Sequence, residues 1–150
     1  MATSLQLHKL FAGILPALVL IAAPQVHAAS ADDAKGLWIT AQKDAVIEFK
    51  ICTDRPGALC GQIVWDKDAG TPVDTCGVRI AQLDKYNQDK GAWRDGWVYD
   101  PRDKKTYKGA IRVKDKTLTM RAYIGIEVLG ETEDLFHVDA MPATPVCKAR

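Results

Sequence analysis

Tyr107-Lys108-Gly109-Ala110-Ile111-Arg112-Val113, then Lys114-Asp115-Lys116, then Thr117-Leu118-Thr119-Met120-Arg121-Ala122 is the stretch that decides the fold. Tyr107, Gly109, Ile111 and Val113 alternate with Lys108, Ala110 and Arg112. Beyond the polar turn, Leu118, Met120 and Ala122 alternate with Thr117, Thr119 and Arg121. A period of two sends one set to a core and the other to solvent, so the stretch predicts an antiparallel hairpin. Upstream, Ile47, Phe49 and Ile51 alternate with Glu48 and Lys50, and Lys43-Asp44 makes a turn from a strand at Leu37–Ala41. Gly61–Trp65 reads as a further short strand, and Ile124–Leu129 and Thr132–Val138 complete the series. Between Asp66 and Gly96 the alternation dissolves into Asp, Gly, Pro, Asn and Lys. That composition predicts one long central loop with a helical turn near Val78–Leu83. Seven or eight short strands with little helix make an all-β domain, either a small antiparallel barrel or a sandwich. A barrel of about eight strands is filled by its own side chains or holds one small ligand.

Outside the strands, the first residues have a different character. Lys9 precedes an uncharged run from Leu10 to Ala23 (LFAGILPALVLIAA), and Val26-His27-Ala28 puts small or aliphatic residues at the positions a signal peptidase reads, with cleavage after Ala28. A charged start, a short apolar run and a small-residue exit predict a secretory signal peptide over residues 1–28. A retained anchor is the alternative, but a spanning helix wants about 20 apolar residues. Residues 29–150 then form a single domain in the periplasm or outside the cell, with no membrane span after cleavage. Residues 1–28 contribute Lys9 and no acid, so the remainder carries 19 basic and 19 acidic side chains. A neutral domain without a basic cluster lacks the footprint of a nucleic-acid binder.

Cys52, Cys60, Cys76 and Cys147 all lie in the remainder, and an even number in an exported chain predicts disulfides. The turn-forming residues between Cys52 and Cys60 favour that pair, which leaves Cys76 with Cys147. No Cys or His spacing suits zinc, and no metal or cofactor is expected.

Three groups of residues carry a family resemblance. They are Gly36-Leu37-Trp38, Cys52 with Leu59-Cys60-Gly61-Gln62-Ile63-Val64-Trp65, and Gly96-Trp97-Val98-Tyr99-Asp100-Pro101 followed by Lys105-Thr106-Tyr107. In this succession, over nearly all of residues 35–138, the chain resembles the exported bacterial family DUF2147. The resemblance implies a lipocalin-like β-barrel of the envelope or secreted fraction with no settled activity. The chain departs from the family at Thr71-Pro72 in the central loop and at Leu135-Phe136-His137 in the last strand, and Cys76 and Cys147 are additions.

Catalytic chemistry finds few residues to use. Past the signal there is one serine, Ser30, near the expected new N-terminus, and one histidine, His137. A serine triad needs a nucleophile on ordered structure, and disulfide-bonded cysteines supply no thiolate. No catalytic residue is assigned. Acid/base carboxylates are the one surviving enzymatic route, with Asp66, Asp68, Asp74, Asp95 and Asp100 beside loops. His137 is expected at a barrel rim, and Asp100 before Pro101 as a strand terminator. Trp38 is expected at the barrel floor. Trp97 and Tyr99 share a face, and with Trp65, Asp100 and Tyr107 they are the candidate lining of an open mouth that binds a small apolar or amphipathic molecule. The alternative is an envelope interaction domain, its barrel filled and its loops contacting an envelope protein. Interior volume separates the two.

Overall fold

A computed structural model describes residues 29–148, and the expected leader lies outside them. Nine strands follow in order: β1 Gly36–Thr40, β2 Ala45–Ile51, β3 Leu59–Asp66, β4 Arg79–Leu83, β5 Lys85–Asn87, β6 Ala92–Asp100, β7 Lys105–Lys114, β8 Thr117–Tyr123 and β9 Glu131–Val138. They form one antiparallel sheet in the order β4-β3-β2-β1-β9-β8-β7-β6-β5. A further β4–β6 pairing, Ala81 opposite Val98 and Gln82 opposite Trp97, closes eight strands into a barrel and leaves β5 as a short addition. Closure removes the unpaired strand edges that an open sheet would present. The hairpin that decides the fold is β7–β8, with Ile111 opposite Met120 and Val113 opposite Leu118.

Two sequence expectations are corrected. The long loop from Asp66 to Gly96 is much shorter than expected, and its supposed helical turn is strand β4. Arg79-Ile80-Ala81-Gln82-Leu83 puts its apolar residues at 80, 81 and 83, a spacing that suits a helical turn as well as a strand. Pairing to β3 on one side and β6 on the other supplies the ladder. What remains of the loop is ordered around the buried Asp66, which accepts from the amides of Asp68 (2.8 Å) and Thr75 (2.7 Å). The second correction concerns Ile124–Leu129. Only a single 3₁₀ turn forms there, Glu127–Leu129, after Gly125 at φ +74° breaks the extended chain.

Tight inward packing comes from alternation of large and absent side chains. A Cβ on Gly61 would sit 2.5 Å from the Phe49 ring, and one on Gly96 would sit 1.9 Å from the Gln82 carbonyl oxygen at the closure seam. A short 3₁₀ turn at Ala31–Ala34 plugs one end. Trp38 Nε1 donates to the Ala34 carbonyl at 2.9 Å and Trp93 Nε1 to the Ala31 carbonyl at 3.0 Å, which places Trp38 at the floor as expected.

Candidate functional site

The barrel interior is occupied by the protein itself. Trp38, Phe49, Leu59, Leu83, Ile111, Leu118 and Leu135 are each fully buried, and all belong to one continuous cluster. Such packing approaches the density of an organic crystal and leaves few voids larger than water. Two clefts, of about 540 and 290 Å³, lie on the outside of β3 rather than in the lumen.

At the open end, β6 and β9 bring charged groups over this core. Val98 points inward, so Asp100, two residues on, lies on the same face. Leu135 likewise carries Glu133 inward. Arg102 bridges them, with Nη2 3.0 Å from Asp100 Oδ2 and 3.4 Å from Glu133 Oε2. Burial opposes ionisation of Asp100, but the side-chain and backbone hydrogen bonds of Arg102 outweigh it and lower its pKa. Glu133 moves the other way: burial pushes its pKa up against the pull of Arg102. Tyr107 pairs with Val98, packs on the core and donates to Asp103 Oδ2 at 2.5 Å, which pushes its pKa up to about 12. Arg102 N donates to Asp100 Oδ1 at 2.8 Å, the turn contact expected of an Asp that ends a strand.

The other candidate residues lie elsewhere. Because Val98 points inward, Trp97 and Tyr99 face outward, half-buried on the outer wall. They share a face, as alternation requires, but it is the outer one. Trp65 is buried outside the lumen cluster, opposite Val46 in the β2–β3 register, and it borders the 290 Å³ cleft with the C-terminal tail. Its indole Nε1 is buried without a hydrogen-bond partner among the described residues. The five candidates therefore divide among mouth, outer wall and tail cleft.

On the outer wall, the β8–β9 connection folds back as a strap. Glu127 is paired with both Arg94 and Arg112. Arg121 donates through Nε to the Glu127 carbonyl (2.6 Å) and through Nη2 to the Val128 carbonyl (2.8 Å). Ala110, which projects from the same wall, is fully buried. The strap's apolar side chains turn to solvent, with Ile124 79%, Ile126 60%, Val128 73% and Leu129 78% exposed. Burial disfavours the charged form of Glu127, but the hydrogen bonds from Arg112 and Arg94 hold its pKa below the ordinary 4.5. A depressed carboxylate stabilises above its unfolded pKa and loses that contribution as pH falls through the folded value. Amide protection over residues 126–130 is therefore expected to hold from neutral pH to about 5. It should drop below that, and Glu127→Gln should abolish the pH dependence.

The tail is tied down by a Cys76–Cys147 disulfide, and Cys52–Cys60 joins the ends of β2 and β3. Replacing Cys76 and Cys147 together by Ala is expected to cost about 2 kcal/mol. It should also shift Trp65 fluorescence to longer wavelength while the barrel stays folded. An unchanged spectrum would show that the tail covers Trp65 without the tether.

Residues 36–136 match the family described as uncharacterized protein conserved in bacteria, DUF2147. The chain belongs to DUF2147. Among solved structures it is similar to HP1028 from the human pathogen Helicobacter pylori, which is described as belonging to the lipocalin family. The TM-score is 0.52 at 16% identity, over 71% of this chain and 83% of that one, a likeness of fold. No curated protein matches by sequence. In this DUF2147 barrel the Gly36-Leu37-Trp38 opening supplies the floor tryptophan. Tyr99-Asp100-Pro101 ends β6 at the mouth, and Lys105-Thr106-Tyr107 begins β7 beside it. Sequence reasoning missed Arg102 and Glu133 at the mouth and the Glu127 strap. Alternation through Glu133-Asp134-Leu135 would have turned Glu133 inward. A lone acid between two glycines in Gly125-Ile126-Glu127-Val128-Leu129-Gly130 would have flagged the strap.

Proposed function

We propose that this DUF2147 domain is an exported binding module that uses its barrel as a solid scaffold and meets its partner on the outer surface. The observation that carries this reading is the interior packed by Trp38, Phe49, Leu59, Leu83, Ile111, Leu118 and Leu135. A carrier that holds a small molecule in the barrel needs roughly 300 Å³ or more of lumen, which a packed core does not leave. Trp97 and Tyr99, first assigned to a mouth, serve the outer surface in this reading. Residence in the periplasm or medium is supported by the two disulfides, which persist in oxidising compartments.

A small apolar ligand retains one address. The 290 Å³ cleft between Trp65 and the tail is walled by Met141, Pro142, Pro145 and Val146, and the Trp65 donor beside it lacks a partner among the described residues. Native mass spectrometry of protein recovered after export tests both readings. The expected result is a chain that begins at Ala29 and carries no bound small molecule. A co-purifying molecule that survives both Trp65→Phe and the replacement of the exposed Ile126 and Leu129 by Ser would overturn the solid-scaffold reading, and one lost with Trp65→Phe would establish the tail cleft.

A further inference from the structure

We infer that the strap and the wall beneath it form a docking surface for an anionic phospholipid bilayer. The inference rests on the outer-surface reading above and names the partner. Four aliphatic side chains, Ile124, Ile126, Val128 and Leu129, are between 60% and 79% exposed on one short connection. Aliphatic residues scattered singly over a surface need no explanation, but a contiguous group on an ordered element does. The order here is built in, because Glu127 and the strap carbonyls are held by Arg94, Arg112 and Arg121. A pinned ridge reaches an apolar phase without the entropy cost of ordering a loop.

What surrounds the ridge selects the partner. Trp97, Lys108 and Tyr123 are register neighbours across β6, β7 and β8 and project from the same outer face. Tyr99 lies two residues further along β6 on that face. Tryptophan and tyrosine favour the headgroup level of a bilayer, where one end of the ring is apolar and the other wet. The outward positions of β7 and β8 hold Lys108, Arg112, Lys114 and Arg121 and no acid. Glu127 of the strap is the carboxylate that faces them. Asp95 lies beside Arg94 on β6, and Asp134 on β9 is held by Thr119 at 2.9 Å. The wall is cationic on balance, and basic residues are drawn to an anionic lipid surface. A raised aliphatic ridge with an aromatic margin and a basic surround is the composition of an interfacial anchor. Protein-binding hot spots instead centre on Trp, Tyr and Arg in desolvated pockets, with Leu and Val under-represented. No described helix is long and apolar enough to cross a membrane.

Vesicle flotation tests it, using protein recovered after export with its N-terminus read by intact mass. The wild-type protein is expected to float with phosphatidylglycerol vesicles and about tenfold less with phosphatidylcholine vesicles. Ile126→Ser with Leu129→Ser, both at exposed positions, should lower phosphatidylglycerol binding about tenfold with an unchanged melting temperature. Lys108→Glu should weaken it and reduce its dependence on salt. Equal flotation of wild type and ridge variant, or none with either vesicle, overturns the inference. A micromolar dimer that the ridge variant converts to monomer overturns it in favour of a second copy of this chain. Neither result touches the solid-scaffold reading, which stands or falls on a ligand in the barrel.

Discussion

Gly96→Ala is expected to cost about 3 kcal/mol or more and to lower the melting temperature by roughly 10 °C. The reason is local and specific. A methyl group at Gly96 would lie 1.9 Å from the Gln82 carbonyl oxygen and 2.7 Å from the Leu83 Cα, both backbone atoms of β4. Side chains can rotate away from an intruding methyl, but two paired strands can only separate. β4 and β6 meet over two residue pairs, Ala81 with Val98 and Gln82 with Trp97, so the seam has little ladder to spare. Opening it would convert a closed barrel into a sheet with two exposed edges, and aggregation should accompany the loss of stability. Thermal melts followed by circular dichroism measure the first effect and light scattering the second. A Gly96→Ala protein within 1 kcal/mol of wild type would mean that the barrel does not close as described.

Phe49→Ala has the other large effect. The ring is buried in the interior and occupies the space that Gly61 leaves on the neighbouring strand. Removing it should cost about 3–5 kcal/mol, the loss of transfer energy plus the cavity left behind. Gly61→Ala should also destabilise, because its Cβ would lie 2.5 Å from the ring. In the Phe49→Ala background the same methyl fills space, so the two changes should be strongly non-additive, the double variant being more stable than the sum predicts. Additive effects would place Gly61 and Phe49 out of contact.

The hairpin β7–β8 was legible because thirteen alternating positions share one period and one turn. β2 was legible by the same alternation, β1 from the Lys43-Asp44 turn that follows it, and β3 as a short run, Gly61–Trp65. β4 was not, since its five residues gain their conformation from the neighbours on both sides and from closure, which no local pattern encodes. The strap was misread as a strand because an apolar run looks alike whether it turns inward or is held outward by arginines elsewhere in the chain. The fate of the aromatics shows the same limit. Alternation correctly put Trp97 and Tyr99 on one face, but which face depends on Val98 entering the core. The bulge between Trp93 and Gly96 resets that phase, and composition gives no sign of it. Trp65 depends on a second bulge, near Val46, and on a tail that a disulfide brings back from far along the chain.

The packed barrel interior is the feature on which an outer-surface role depends most. The most direct test is a crystal of the protein under xenon pressure, beside the Phe49→Ala variant, since xenon enters dry apolar cavities and marks their position. No xenon inside the wild-type barrel and one clear site at the vacated ring is the predicted result. Xenon, or an unassigned molecule, inside the wild-type barrel would contradict it and return the protein to the carriers.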